Sequence, residues 1–262
     1  MSYSLPVILT IGGHDPSGGA GIQADIETIT SHGCHAVSLI TCLTSQNTKD
    51  FFKVDVIDPK IFTSQAESLL SDIAIDAIKI GVIGNLKILE EINKILNKLE
   101  GIAIIFDPVI KSTSGGTLTE NPLFESLKSL IFPKSFLVTP NIEEVKSLSG
   151  KSDLNSALED LFSFSPKHIL VKDVKKSKDH IINSLYTDNK LVNSWNNHKI
   201  EGSYHGTGSN LASSIACSLA QSKNIEESIK LAQEFVAQAI ENSIRIGMGQ
   251  KILKGGNAKT KT

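Results

Sequence analysis

Val7-Ile8-Leu9-Thr10-Ile11 runs straight into Gly12-Gly13-His14-Asp15-Pro16-Ser17-Gly18-Gly19-Ala20-Gly21, and then into Gly21 to Ser31, where apolar residues recur at three- and four-residue steps. A short apolar run closed by glycines predicts a strand buried on both faces, and the periodic segment behind it predicts a helix. The same unit recurs along the chain. Ala36–Ile40, Ala77–Ile80, Ile102–Phe106, Phe136–Val138 and His168–Val171 read as further strands. Pro59–Leu70, Leu86–Leu99, Pro122–Leu130, Ile142–Leu148 and Leu154–Phe162 read as helices, several with Pro or Asp near the start. Strands alternating with helices predict an α/β chain with a mainly parallel sheet covered on both faces.

Two places break the rhythm. Phe51–Ile57 reads as an extra strand off the main sheet, and Ile181–Thr187 with Leu191–Trp195 reads as a hairpin turned by Asp188-Asn189. Ile225 to about Ile246 continues as helix. With no internal repeat and no low-complexity linker, residues 1–250 are expected to form one domain, and residues 251–262 a polar, frayed tail.

At 262 residues and 40% hydrophobic content, the chain can bury a large core. Lys plus Arg number 26 against 28 Asp plus Glu, a formal charge of -2 that gives no support to non-specific nucleic-acid binding. Any bound anion must be held locally. Cys34, Cys42 and Cys217 form no close-spaced ligand pattern and read as packing residues of a reduced, cytoplasmic protein. Met1–Pro6 lacks a basic region followed by a long apolar stretch, and no run reaches the ~18 apolar residues of a membrane span, so no membrane role is expected.

Ligands of an open α/β sheet bind beyond the carboxyl ends of its strands, which is where this chain keeps its distinctive residues. His205-Gly206-Thr207-Gly208-Ser209 opens an apolar-periodic helix. Glycines let backbone N–H groups approach a ligand, and a helix's first turn has unpaired donors, so this stretch predicts an anion site with a transferred phosphate as the candidate. The five glycines from Gly12 to Gly21 exceed what a turn needs and allow a flat ring to lie against backbone.

Gly13 to Asp25, Gln46-Asn47-Thr48, Lys79-Ile80-Gly81, Asp107-Pro108-Val109, Thr139-Pro140-Asn141 and His205-Gly206-Thr207-Gly208 occur in this order. Over residues 7 to about 222 the chain thereby resembles the hydroxymethylpyrimidine and phosphomethylpyrimidine kinase family of thiamin biosynthesis, within the ribokinase-like superfamily. The resemblance implies a three-layer α/β/α sandwich with a mainly parallel central sheet and a few extra strands. It implies ATP- and Mg²⁺-dependent phosphorylation of 4-amino-5-hydroxymethyl-2-methylpyrimidine and/or its monophosphate, by a homodimer whose partners are the pyrimidine and ATP.

By the same resemblance Gly13, Asp15, Ala20, Gln46 and Val82 hold the ring, and Gln46 carries the donors and acceptor that suit an aminopyrimidine. Asp107 and Glu144 serve Mg²⁺, Lys172, Asn141 and Glu144 the nucleotide, and Gly206, Thr207 and Gly208 the anion hole, with Ser209 in the catalytic position. Other readings of single residues stay open: Asp15 as a helix cap, Gln46 as a surface turn residue, Glu144 as a first-turn acid favoured by the helix dipole, and Lys172 as an exposed strand-end lysine. His14, His32, His35 and His205 lack ligand spacing and read as structural or solvent-facing.

Three positions depart from the family pattern. Ser209 stands where members usually have Cys, Asp173-Val174 follows Lys172 where they usually continue Gly-Gly, and Val82 falls where they often have Met. A serine hydroxyl accepts a proton poorly, and a carboxylate in place of glycine should repel phosphate, so reduced activity is expected. The two alternatives are vitamin B6 phosphorylation of the pyridoxal kinase type and a catalytically weakened, pyrimidine-binding homologue.

Overall fold

A computed structural model describes residues 5–110, 118 and 123–255. The chain runs β1 (Val7–His14), α1 (Gly21–Ser31), β2 (His35–Gln46), β3 (Phe51–Val56), α2 (Pro59–Leu70), β4 (Ala77–Ile80), α3 (Leu86–Leu96), β5 (Ala103–Phe106), α4 (Phe124–Leu130), β6 (Leu137–Val138), α5 (Ile142–Ser149), α6 (Leu154–Phe162), β7 (His168–Lys176), β8 (His180–Thr187), β9 (Lys190–His198), β10 (Tyr204–His205), α7 (Thr207–Ala220), α8 (Ile225–Glu241) and β11 (Lys251–Ile252). The main sheet has the order β3-β2-β1-β4-β5-β6-β7-β8-β9. Strands β2 to β7 in that order pair in parallel, while β3 closes one edge antiparallel and the β8–β9 hairpin closes the other.

Alternating side chains of the central strands enter two cores. Leu9, Ile78 and Phe106 pack with Phe62, Ile88, Leu127 and Leu158 on one face, whereas Ile8, Ala77 and Ile105 pack with Ile29, Ile215 and Ile229 on the other. The result is the expected α/β/α sandwich. Truncating one of these buried Ile or Leu side chains to Ala should cost about 2–5 kcal/mol.

Helix starts follow local chemistry away from the cleft. Asp58 with Pro59 opens α2, Asn85 caps α3, Asp153 caps α6 and Asn224 caps α8. By contrast α1 and α7 begin at Ala20 and Gly206 without a side-chain cap, which leaves their first-turn donors open for a ligand.

Several boundaries differ from expectation. Residues 51–56 are not off the sheet: β3 pairs with Cys42–Gln46, which makes β2 longer than its apolar run and places Gln46 on a strand rather than in a surface turn. Helix α8 stops at Glu241 rather than near Ile246, because Ile244 bridges to Ile252. That bridge also orders the start of the expected tail, where Lys251 and Ile252 pair with Tyr204 and His205, and Ile252 and Leu253 are buried. Residues 256–262 lie outside the described residues. Among the described residues no helix is long and apolar enough to cross a membrane.

Candidate active site

Every site residue expected from the sequence lines one cavity of about 780 Å³. It opens past the carboxyl ends of β1, β4, β5 and β7, as the topology of an open sheet requires. Its lining combines the glycine-rich loop after β1 and Gln46 with a charged cluster of Lys79, Asp107, Glu144 and Lys172.

The glycine-rich part of the lining is built from close contacts. A Cβ on Gly13 would meet Cys42 Sγ at 3.0 Å, and one on Gly21, whose φ is +58°, would overlap the Gly13 carbonyl. Gln46 Nε2 donates to Thr44 Oγ1 at 2.9 Å, while its buried Oε1 has no partner among the described residues. Val82 fixes the facing wall, its carbonyl accepting from Thr41 Oγ1 at 2.6 Å.

Asp15 does not cap α1 in the usual way. Its carboxylate accepts from Ser17 N–H and Oγ and from Ala20 N–H at 2.8–3.0 Å, which closes the loop before the helix. His205 Nε2 also lies 2.9 Å from Asp15 Oδ2, off the hydrogen-bond axis. Burial pushes the Asp15 carboxyl up, but His205 and Ser17 together hold it below the ordinary carboxylate range. Both loops are therefore joined. A Cβ on Gly19 would run into the His205 ring, and one on Gly206, with φ +82°, into the Gly19 carbonyl.

In the charged cluster Asp107 Oδ1 accepts from Lys172 Nζ at 2.9 Å and from Thr139 Oγ1 at 3.0 Å. Burial alone would raise the Asp107 pKa, yet Lys172 and Lys79 bring it below its ordinary value. Lys172 is raised despite its own burial, because Asp107 and Glu144 face it. Asn141 and Glu144 form a reciprocal capping box on α5: Asn141 Oδ1 accepts from Glu144 N–H at 2.9 Å, and Glu144 Oε2 from Asn141 N–H at 2.8 Å. Burial, aided by the Asp107 charge, pushes the Glu144 carboxyl up to about 7. The α7 turn packs onto this cluster so closely that a Cβ on Gly208 would come within 3.3 Å of both Asp107 Oδ2 and Lys172 Nζ.

Asp107 and Glu144 supply hard oxygens on one wall of the cleft, which fits Mg²⁺ with phosphate and water completing its shell. Asp173 lies at φ +56°, the left-handed conformation that glycine would adopt, and its N–H donates to Asn183 Oδ1 at 3.0 Å. The backbone path of a glycine is thus kept and a carboxylate added.

Sequence reasoning left three features without a role. Lys79, only 1% exposed, lines the cleft floor and binds both oxygens of Asp25 at 2.8 and 2.9 Å, where Thr10 and Ser213 also donate. A lysine inside an apolar strand was the available signal. His205 belongs to the site through Asp15. Asn183 and Asn197 both donate to Gln233 Oε1, at 2.8 and 2.7 Å, tying the β8–β9 hairpin to α8 beside the cleft.

The sandwich and its cleft define a ribokinase-like α/β protein. The chain belongs to the phosphomethylpyrimidine kinase family, whose model matches residues 15–254. A phosphomethylpyrimidine kinase from Clostridium difficile is 32% identical with a TM-score of 0.76, over 90% of this chain and 99% of that one. The Staphylococcus aureus pyridoxal kinase in complex with ADP superposes with a TM-score of 0.87 at 26% identity, over 98% of this chain and 96% of that one. A probable thiamine biosynthetic bifunctional enzyme of Oryza sativa is 34% identical over 93% of this chain, and 46% of its own length is covered. The chain spans about half the length of such bifunctional relatives.

Proposed function

We propose that this chain transfers the γ-phosphoryl group of ATP to 4-amino-5-hydroxymethyl-2-methylpyrimidine and to its monophosphate. The observation that carries this is the pairing, within one cavity, of a Gln46 Oε1 without a partner among the described residues with the uncapped α7 turn. Gln46 offers an acceptor to an exocyclic amine, and Gly13 and Ala20 leave room for a flat ring. The N–H groups of Thr207, Gly208 and Ser209 form the anion hole for the moving phosphoryl group. Lys172, steadied by Asp107, neutralises phosphate charge, and Asn141 sets the α5 terminus that presents Glu144. Mg²⁺ held by Asp107 and Glu144 would screen the phosphates and favour an in-line arrangement.

Ser209 Oγ makes no hydrogen bond among the described residues. Its role in this reading is to orient the substrate hydroxyl, with a rate below that of a thiolate or carboxylate at this position. The three buried free thiols, Cys34, Cys42 and Cys217, suit a cytoplasmic setting. Homodimerisation would use the β3 edge, where Phe52 is 67% exposed.

ADP release on adding either pyrimidine at millimolar Mg·ATP tests the reading, and turnover no greater than background refutes it. The close superposition on a pyridoxal kinase favours vitamin B6 phosphorylation as a second reading. Side-by-side kcat/KM values for pyridoxal and the pyrimidine alcohol separate the two.

A further inference from the structure

In the reading above Gln46 recognises the ring, yet it stands beyond the parallel part of the sheet. The pairing of β2 with β1 stops at Leu43, and Thr44–Gln46 continue as a hairpin with the edge strand β3, whose register shifts between Ser45 and Gln46. A side chain on such an irregular, projecting end is aimed only as well as that end is held.

The hairpin closes in a tight turn. Asn47 N–H donates to the Asp50 carbonyl at 3.0 Å, and Asn47 Oδ1 accepts from the Lys49 and Asp50 N–H groups, both at 2.8 Å. Thr48, within this turn, is only 8% exposed, because residues 247–250 close over it. Gly249 N–H donates to Thr48 Oγ1 at 3.1 Å, and Gln250 N–H to the Thr48 carbonyl at 2.7 Å. A Cβ on Gly247 would run into Thr48 Oγ1 and one on Gly249 into the Thr48 carbonyl, whereas Met248 between them is exposed. Gly247-Met248-Gly249 is thus shaped to receive Thr48 from a distance of about 200 positions.

The segment that grips Thr48 is itself anchored beside the anion turn. Gln250 Nε2 donates to Ser203 Oγ and Lys251 N–H to the Ser203 carbonyl, both at 3.0 Å, and Lys251 and Ile252 pair with Tyr204 and His205. Ile244 and Ile252 exchange backbone hydrogen bonds at 2.9 Å, and Ile252 and Leu253 are buried. The turn after Gln46 is therefore tied to a fixed part of the molecule, although Thr48 lies outside the lining of the cavity.

We propose that Thr48, gripped by Gly249 and Gln250, is a positioning residue for Gln46: it holds the hairpin end from which Gln46 meets the ring, and so sets the KM for the pyrimidine. This rests on the pyrimidine kinase reading above.

The test uses the full chain and three substitutions at one position. Thr48→Val keeps the shape and removes the acceptor, Thr48→Ala removes it without crowding Gly247, and Thr48→Ser keeps the hydroxyl. Steady-state kinetics with the pyrimidine alcohol and ATP varied in turn are accompanied by thermal melts, and Thr48→Val is repeated in a Gln46→Ala background. Loss of one neutral hydrogen bond should raise the pyrimidine KM about three- to tenfold, with kcat and the KM for ATP within about twofold of wild type. Thr48→Ser should restore the pyrimidine KM to within about twofold, and in the Gln46→Ala background Thr48→Val should add less than about twofold, because its effect runs through Gln46. If Thr48→Val does not fold, Thr48→Ala carries the same expectations. An unchanged pyrimidine KM, equal rises in both KM values, a serine variant no better than valine, or an undiminished effect in the Gln46→Ala background overturns the inference and leaves the kinase reading intact. Wild-type protein inert towards the alcohol and its monophosphate overturns both.

Discussion

Glu144→Gln should make the ligand-free protein more stable at pH 8 while removing its response to Mg·ATP. The folded protein holds this carboxyl at about 7 against an ordinary value of 4.5. From pH 4.5 to 7 the unfolded chain therefore releases a proton that the native state retains, so stability falls as pH rises through that window and is level above it. At about 1.4 kcal/mol per pH unit, the cost approaches about 3 kcal/mol at pH 8 and stays under about 1 kcal/mol at pH 5. Gln avoids this cost and keeps the capping box, since its amide oxygen still accepts from the Asn141 N–H. Urea unfolding at pH 5 and pH 8 should show the variant's advantage growing by about 2 kcal/mol between the two, equivalent to a few degrees in Tm for a chain of this size. Addition of Mg·ATP should then stabilise the wild type and leave the variant nearly unmoved. An equal advantage at both pH values, or a variant less stable than wild type at pH 8, would refute the view of Glu144 as a buried acid waiting for a cation.

Asp173→Gly should lower the KM for ATP several-fold, with a smaller effect at high salt, because it removes a carboxylate from the phosphate side of the cleft and a left-handed non-glycine residue worth about 1 kcal/mol of strain. Lys79→Met should cost about 3–5 kcal/mol in denaturant unfolding by leaving Asp25 buried without its partner, and Lys79→Met with Asp25→Asn should recover part of that loss. Gly206→Ala should abolish turnover and lower Tm, since the new methyl group overlaps the Gly19 carbonyl at a φ of +82°. Ser209→Cys should raise kcat and Ser209→Ala lower it; an active wild type indifferent to both changes would remove this side chain from the reaction.

The alternating fold was legible because strands buried on both faces appear as apolar runs, and the runs at Val7, Ala77 and Ile102 mark the middle of the sheet. Where strands leave the core the signal fades. Thr44–Gln46 end β2 and Lys172–Lys176 end β7 across an irregularity in its pairing, but both are polar in sequence, so no apolar run marks them as strand. The cleft residues were found despite this because glycines, Gln46, Asp107 and Glu144 cluster where strands end. Partnership was not readable. Lys79 and Asp25 are 54 positions apart and Ser213 lies 188 from Asp25, distances no local pattern spans. The end of α8 is not legible because Ile244 continues a helical apolar spacing, although its partner Ile252 lies in an extended segment.

The backbone contact between Gly19 and Gly206 fixes when a nascent chain can become competent. Residues 7–31 are made well before the segment around His205, so the loop within them has nothing to close against until that segment follows, and Thr28 waits for Asn210 across 182 positions. The first strand, helix and loop therefore emerge long before they can bind anything. Protein truncated before residue 205 would contain all nine strands of the main sheet and none of the finished cleft, which ties ligand binding to synthesis of the segment that follows the sheet.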